Sequence, residues 1–132
     1  MKMLADTSFI IDLMLGDEAA LRKAREIEEG NKSLIVSAPT IFELYVGLSL
    51  SRKPEEEKRK ILEVLHSLPL LPLDYESSRA GGLIYGDKQR SGSLIDPEDA
   101  MVAGIAKVNG KKLLTRNLRH FQGIEGVVVE SY

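Results

Sequence analysis

Three acids stand where acids are costly or oddly placed: Asp6, Glu43 and Asp99. Asp6 ends the short apolar run KMLA and is followed by two hydroxyl residues, Thr7 and Ser8. Glu43 is the only charged side chain between Lys32 and Arg52, in a segment with Ile41, Leu44, Tyr45 and Leu48 at helical spacing and Phe42, Val46 and Leu50 around the rest. A helix apolar nearly all round is expected to be largely covered, and an ionised carboxylate buried in it is expensive unless a partner or a metal offsets it. Gly47, one turn beyond Glu43, leaves room for a ligand. Asp99 directly precedes AMVAGIA, an uncharged stretch of small residues suited to a helix packed closely on a sheet.

Each acid also has a plain structural role open to it. Asp6 can cap a helix, although Thr7 or Ser8 would cap one beginning near Phe9 equally well. Glu43 can face solvent. Asp99 can close a capping box on Asp96 in DPED, where Asp96 is the cap, Pro97 the first helical residue and Glu98 a further acid at the positive end of the dipole. Taken together they have a sharper meaning. Two carboxylates about 4 Å apart repel by roughly 4 kcal/mol at an effective dielectric near 20, equivalent to about three pKa units. A hard divalent cation reverses that penalty, and oxygen-only ligands suit Mg²⁺ or Mn²⁺. Such an ion lowers the pKa of bound water and polarises a phosphodiester toward hydrolysis. His66 and His120 are too far apart in sequence for a zinc pair at helical spacing, and both are read as structural, with a slight interest in His120 because it lies near the TRN of residues 115 to 117. Local cations for a phosphate backbone are present in Arg116, Arg119, Lys111 and Lys112, with Lys88 and Arg90 as further candidates.

The elements that must position these acids alternate. KMLA, SLIVS, LLPLD, KKLLT and VVVES read as five short strands, with Pro72 placing LLPLD at an edge or a strand end. Between them lie a helix from Asp17 to Glu29 stopped by Gly30-Asn31, another after Pro39, the charged PEEEKRKILEVLHSL with its solvated face, a glycine-interrupted helix from Tyr75 to Arg90, and DPEDAMVAGIAKVNG, marked at both ends. This order predicts an α/β protein: a central parallel sheet of about five strands between two helix layers, an α/β/α sandwich. Functional groups in such sheets gather beyond the carboxyl ends of the strands, where Asp6 and the TRN of residues 115 to 117 fall and where Asp99 opens its helix.

At 132 residues the chain is one domain spanning 1–132. Its 43% hydrophobic and 29% charged residues exclude a disordered or fibrous chain, and the net charge of −2 argues against a broadly basic nucleic-acid surface. The absence of cysteine removes disulfides and thiolate metal sites. The apolar runs are broken by Glu43 and proline, and the first residues lack a basic segment leading to an apolar one, so a soluble chain of the cytoplasm, with no membrane partner, is expected.

The segments LADTSFIIDL, SAPTIFELYVGL, DPEDAMVAGIA, KLLTRNLRHF and GIEGVVVES, in this order, resemble the signatures of the PIN-domain ribonucleases, in particular the VapC-type toxins of prokaryotic toxin–antitoxin pairs. The resemblance implies a single PIN domain and a Mg²⁺- or Mn²⁺-dependent endoribonuclease. It also implies metal-binding acids at Asp6, Glu43 and Asp99, a homodimer, and a small VapB-like antitoxin lying over the site. The fourth acidic position of the family is Asn117 here, which brings hydrogen bonding but no charge and predicts weaker holding of a second ion. Thr115 matches a polar position near the metal, and Arg116 one that meets RNA phosphate. Two other readings compete. A Mg²⁺-binding phosphoacceptor domain would want paired acids after the first strand, where Thr7 and Ser8 stand. A non-catalytic or weakly catalytic PIN-fold binding module would use a relaxed site at Asn117. A dinucleotide-binding domain matches more poorly still, since no G-x-G-x-x-G follows the first strand.

Overall fold

In the computed structural model, which describes residues 2–132, strand β1 (Lys2–Ala5) runs through the middle of the molecule with Met3, Leu4 and Ala5 buried. It is followed by α1 (Thr7–Met14), α2 (Glu18–Glu29), β2 (Ser33–Ser37), α3 (Ala38–Ser49), α4 (Pro54–Leu65) and β3 (Leu70–Leu71). Helices α5 (Tyr75–Arg90) and α6 (Pro97–Asn109), strand β4 (Lys112–Leu114), the short α7 (Leu118–Phe121) and β5 (Val129–Glu130) complete the chain. The strands form one parallel sheet in the order β3-β2-β1-β4-β5. Leu4 lies opposite both Ile35 and Leu113, so the strand register aligns one apolar row across the centre.

Because side chains alternate along a strand, each face of this sheet packs a different helix layer. Leu4, Ile35 and Leu113 face Ile84 of α5, Val102 and Ile105 of α6 and Phe121 of α7. Met3, Ala5, Val36 and Leu114 face Phe9 and Ile10 of α1, Ile27 of α2, Leu44 of α3 and Ile61 of α4. The three-layer α/β/α sandwich is the expected one. The chain leaves β1 for β2 on one side and reaches β4 on the other, so the direction of strand succession reverses at β1 and a crevice opens beyond its carboxyl end.

Two expectations change. Helix α1 begins at Thr7 with Asp6 in the cap position, so Thr7 and Ser8 lie inside the first turn and their hydroxyls are free for other partners. Helix α3 is not covered all round: Pro39, Thr40 and Leu44 are buried, whereas Phe42 is 61% and Leu50 79% exposed, and Tyr45 and Val46 also face outward. The helix lies on the outside of its layer, and its apolar surround is in part an open surface.

One of the α5 glycines that weaken the helical signal, Gly81, is required by its partner, as is Gly104 of α6. Cβ atoms placed on Gly104 and Gly81 would approach backbone atoms of the facing helix to 2.5 Å (Ser77 O) and 2.9 Å (Ala100 O). Only hydrogen at these positions lets α5 and α6 pack at this distance. Gly82, in contrast, meets nothing within 4 Å. Gly104→Ala is therefore expected to destabilise the fold by about 1–3 kcal/mol through overpacking. Gly82→Ala should be neutral or stabilising by up to about 1 kcal/mol from helix propensity. Urea unfolding of the two variants checks this, and equal effects would contradict the close approach.

Candidate active site

Asp6 emerges from β1 into the crevice, its backbone N–H held by Leu114 O of the neighbouring strand at 2.9 Å. Its side chain does not cap α1; Oδ2 accepts from the hydroxyls of Thr115 at 2.8 Å and Ser8 at 3.1 Å. The Thr115 hydroxyl also accepts from Asn117 N at 3.0 Å, and Ser8 Oγ accepts from Arg116 N at 3.3 Å. The first turn of α1 and the turn after β4 thus grip one oxygen of Asp6. Its other oxygen accepts no hydrogen bond among the described residues.

Glu43 is half-buried and joined to the same edge by a hydroxyl chain: Ser37 donates to Thr40 (3.3 Å), Thr40 and Thr7 share a bond (2.9 Å), and Thr7 reaches Glu43 Oε1 (3.4 Å). Asp99, on the first turn of α6, makes no capping box, and the cap residue Asp96 makes no side-chain bond to the helix. Asp99 Oδ2 instead lies 3.0 Å from His120 Nδ1 of α7. His120 is the site neighbour that spacing did not reveal; its partner is 21 positions away, and the only hint was its closeness to TRN.

The electrostatics link the acids. Burial, then the charges of Asp99 and Asp6, push the Glu43 carboxyl up from 4.5 to about 7. Burial and Asp6 push Asp99 from 3.8 to about 6 against the opposing effect of His120. Repulsion of this kind is what a hard dication relieves, and the donor set is oxygen only, so the residues fit Mg²⁺ or Mn²⁺ in kind. No three such side chains form a finished metal cage among the described residues; what is built in is charge and donors.

The other cations are mostly engaged. Arg116 Nη1 lies 2.9 Å from both oxygens of Asp12, Lys112 pairs with Glu130 at 3.3 Å, Arg90 pairs with Asp87, and Lys88 donates to Gln122 O at 3.0 Å. Arg119 is exposed on α7 beside His120. Asp12 went unnoticed in the sequence. It is the lone acid in the apolar run FIIDLML, the same signal that singled out Glu43.

A family model described as the PIN domain matches residues 3–126. The chain belongs to the PIN domain family. Among curated PIN-domain relatives, the tRNA(fMet)-specific endonuclease VapC of Salmonella typhimurium is 30% identical over 99 residues, 75% of each chain. The protein of the same name from Shigella flexneri is 26% identical over all of this chain and 98% of its own length. The solved structure of VapBC2 from Rickettsia felis bound to a promoter DNA fragment superimposes with a TM-score of 0.91 at 20% identity, covering 100% of this chain and 99% of that one, and shows the shared fold. The chain is thus a VapC-type PIN domain, and no helix among the described residues is long and apolar enough to cross a membrane.

Raised carboxyl pKa values fix the sign of a pH effect. Between about pH 4 and 7 the folded chain binds more protons at Glu43 and Asp99 than the unfolded chain does, so stability falls as pH rises through this window. With divalent ions chelated, the Tm advantage of Glu43→Gln over the parent is expected to grow from pH 5 to pH 8. A constant difference measured by calorimetry would contradict the raised Glu43 pKa.

Proposed function

We propose that this chain, a VapC-type PIN domain ribonuclease, hydrolyses RNA phosphodiesters in the cytoplasm with Mg²⁺ or Mn²⁺ held by Asp6, Asp99 and Glu43. The observation that carries the proposal is that Glu43 and Asp99, part-buried and facing the charge of Asp6 from separate elements at the switch point of the sheet, both have raised carboxyl pKa values. When bound, the ion supplies a water of lowered pKa and neutralises charge on the phosphate. The chain's own residues do the rest. Ser8 and Thr115 fix one oxygen of Asp6 and leave the other without a hydrogen bond among the described residues. Asn117, ending the turn, orients water or phosphate oxygen without adding charge. Arg116, whose side chain is 56% exposed, offers its outward N–H groups to the RNA backbone, and the exposed Arg119 follows on α7. A site with three acids and an asparagine favours one firmly held ion over two.

The partner follows the same relation: the Rickettsia felis structure is a VapBC complex, and we assign this chain a small VapB-like antitoxin. A groove of about 120 Å³ beside Glu43, lined by Ile11, Met14, Leu15 and Gly47, suits an apolar segment of such a partner. The exposed Phe42 of α3 and Met101 of α6, which line one open groove, suit pairing of two copies.

Purified protein is expected to cut single-stranded or hairpin RNA with Mg²⁺ or Mn²⁺ and not with chelator. Asp6→Asn and Asp99→Asn should each lower kcat/KM by roughly 10²-fold or more, and Asn117→Asp should raise activity at low Mn²⁺. A folded wild type that cuts no RNA and binds no Mn²⁺ would favour the binding-module reading, in which the relaxed charge at Asn117 is the end state.

A further inference from the structure

We infer that Asp12 and Tyr132 are positioning residues for the reaction: together they hold the Arg116 guanidinium and, through it, the turn at 115–117 that orients Asp6. Asp12 sits in the second turn of α1 with its side chain only 5% exposed. Both of its oxygens lie 2.9 Å from Arg116 Nη1, and Oδ2 also accepts from the Tyr132 hydroxyl at 2.6 Å. The Tyr132 ring stands edge-on to Phe9 of the same helix, with centroids 4.8 Å apart. Three segments far apart in sequence therefore converge on one buried carboxylate. An apolar residue at position 12 would extend the core of α1 at lower desolvation cost, so a stability role alone is a poor reason for an acid there.

The connection to Asp6 is short. Arg116 is bound at its side chain by Asp12 and at its backbone N–H by Ser8, and its neighbour Thr115 donates to Asp6. Ser8 also donates to Asp6. With both ends of Arg116 anchored to α1, the turn that carries Thr115 and Asn117 has little freedom to rotate. Without the Tyr132 hydroxyl, Asp12 retains only the half-exposed Arg116 as charge-bearing partner, and the guanidinium loses a fixed seat. The effect on RNA cutting rests on the nuclease reading; the effect on the turn does not.

Tyr132→Phe keeps the ring on Phe9 and removes only the hydroxyl. Three readouts on the full chain decide the matter: amide hydrogen exchange at Arg116 and Asn117, Mn²⁺ affinity by calorimetry, and kcat and KM on RNA well below the unfolding temperature. The expected result is exchange about tenfold faster at these two amides, weaker Mn²⁺ binding and kcat about tenfold lower with KM little changed, the scale of one hydrogen bond to a charged group. Asp12→Asn should move the same readouts in the same direction. Ile84→Val in α5, on the other face of the sheet, lowers Tm without moving them. Unchanged exchange in Tyr132→Phe would overturn the inference, as would faster exchange with unaltered kcat and Mn²⁺ affinity. A wild type that neither cuts RNA nor binds Mn²⁺ would remove the nuclease reading and the positioning role with it, while the exchange data would still decide whether the hydroxyl holds the turn.

Discussion

Like charges gathered at the end of a sheet repel, and the fold has to hold them together without neutralising them. Asp6, Glu43 and Asp99 come from a strand end and two helices, so their approach is fixed by the parallel register of β1, β2 and β4 rather than by any local turn. The layers on both faces of the sheet supply that rigidity, including the glycine-to-backbone contact of α5 with α6, which sets the helix that carries Asp99 in its first turn. Burial, and after it the charges of the neighbouring acids, raises the pKa values of Glu43 and Asp99, and this crowded charge is the property a dication would exploit.

Around the acids the fold uses hydroxyls rather than cations. Ser8 and Thr115 grip Asp6, and Thr7 links Glu43 to Thr40, leaving the negative charge largely intact while restricting its position. Arginine is kept one step back, paired with Asp12, where it supports the turn without cancelling Asp6. Among the basic side chains of the described residues, His120 is the one that touches an acid of the site directly, Asp99. An electropositive residue on Asp6 itself would relieve the same repulsion that attracts a metal.

Much of this was legible in the residues because local chemistry decided it. Helix α6 was marked by Asp96, Pro97 and Asn109-Gly110, and Gly110 takes the left-handed conformation at φ 61°. The acids could be chosen because a carboxylate at a strand end or in an apolar run is expensive. What was hidden depends on long-range geometry. The pairs of Asp99 with His120 and Asp12 with Arg116 join residues 21 and 104 positions apart, and no spacing rule connects them. The exposed side of α3 was misjudged for a related reason: apolar content says that a surface wants to be covered, not that this chain covers it. The glycines of α5 argue against a helix locally, yet the facing helix demands one of them, Gly81.

The central claim is that the carboxylates of Asp6, Asp99 and Glu43 exist to hold a divalent ion. Anomalous diffraction from crystals of the chain soaked in Mn²⁺ tests it most directly. The account predicts one strong anomalous peak bonded to the carboxylates of Asp6 and Asp99, on the Glu43 side of the crevice, and lost in Asp6→Asn. Full occupancy elsewhere on the surface with none at these acids, at a pH above 7 where Glu43 is ionised, would contradict it.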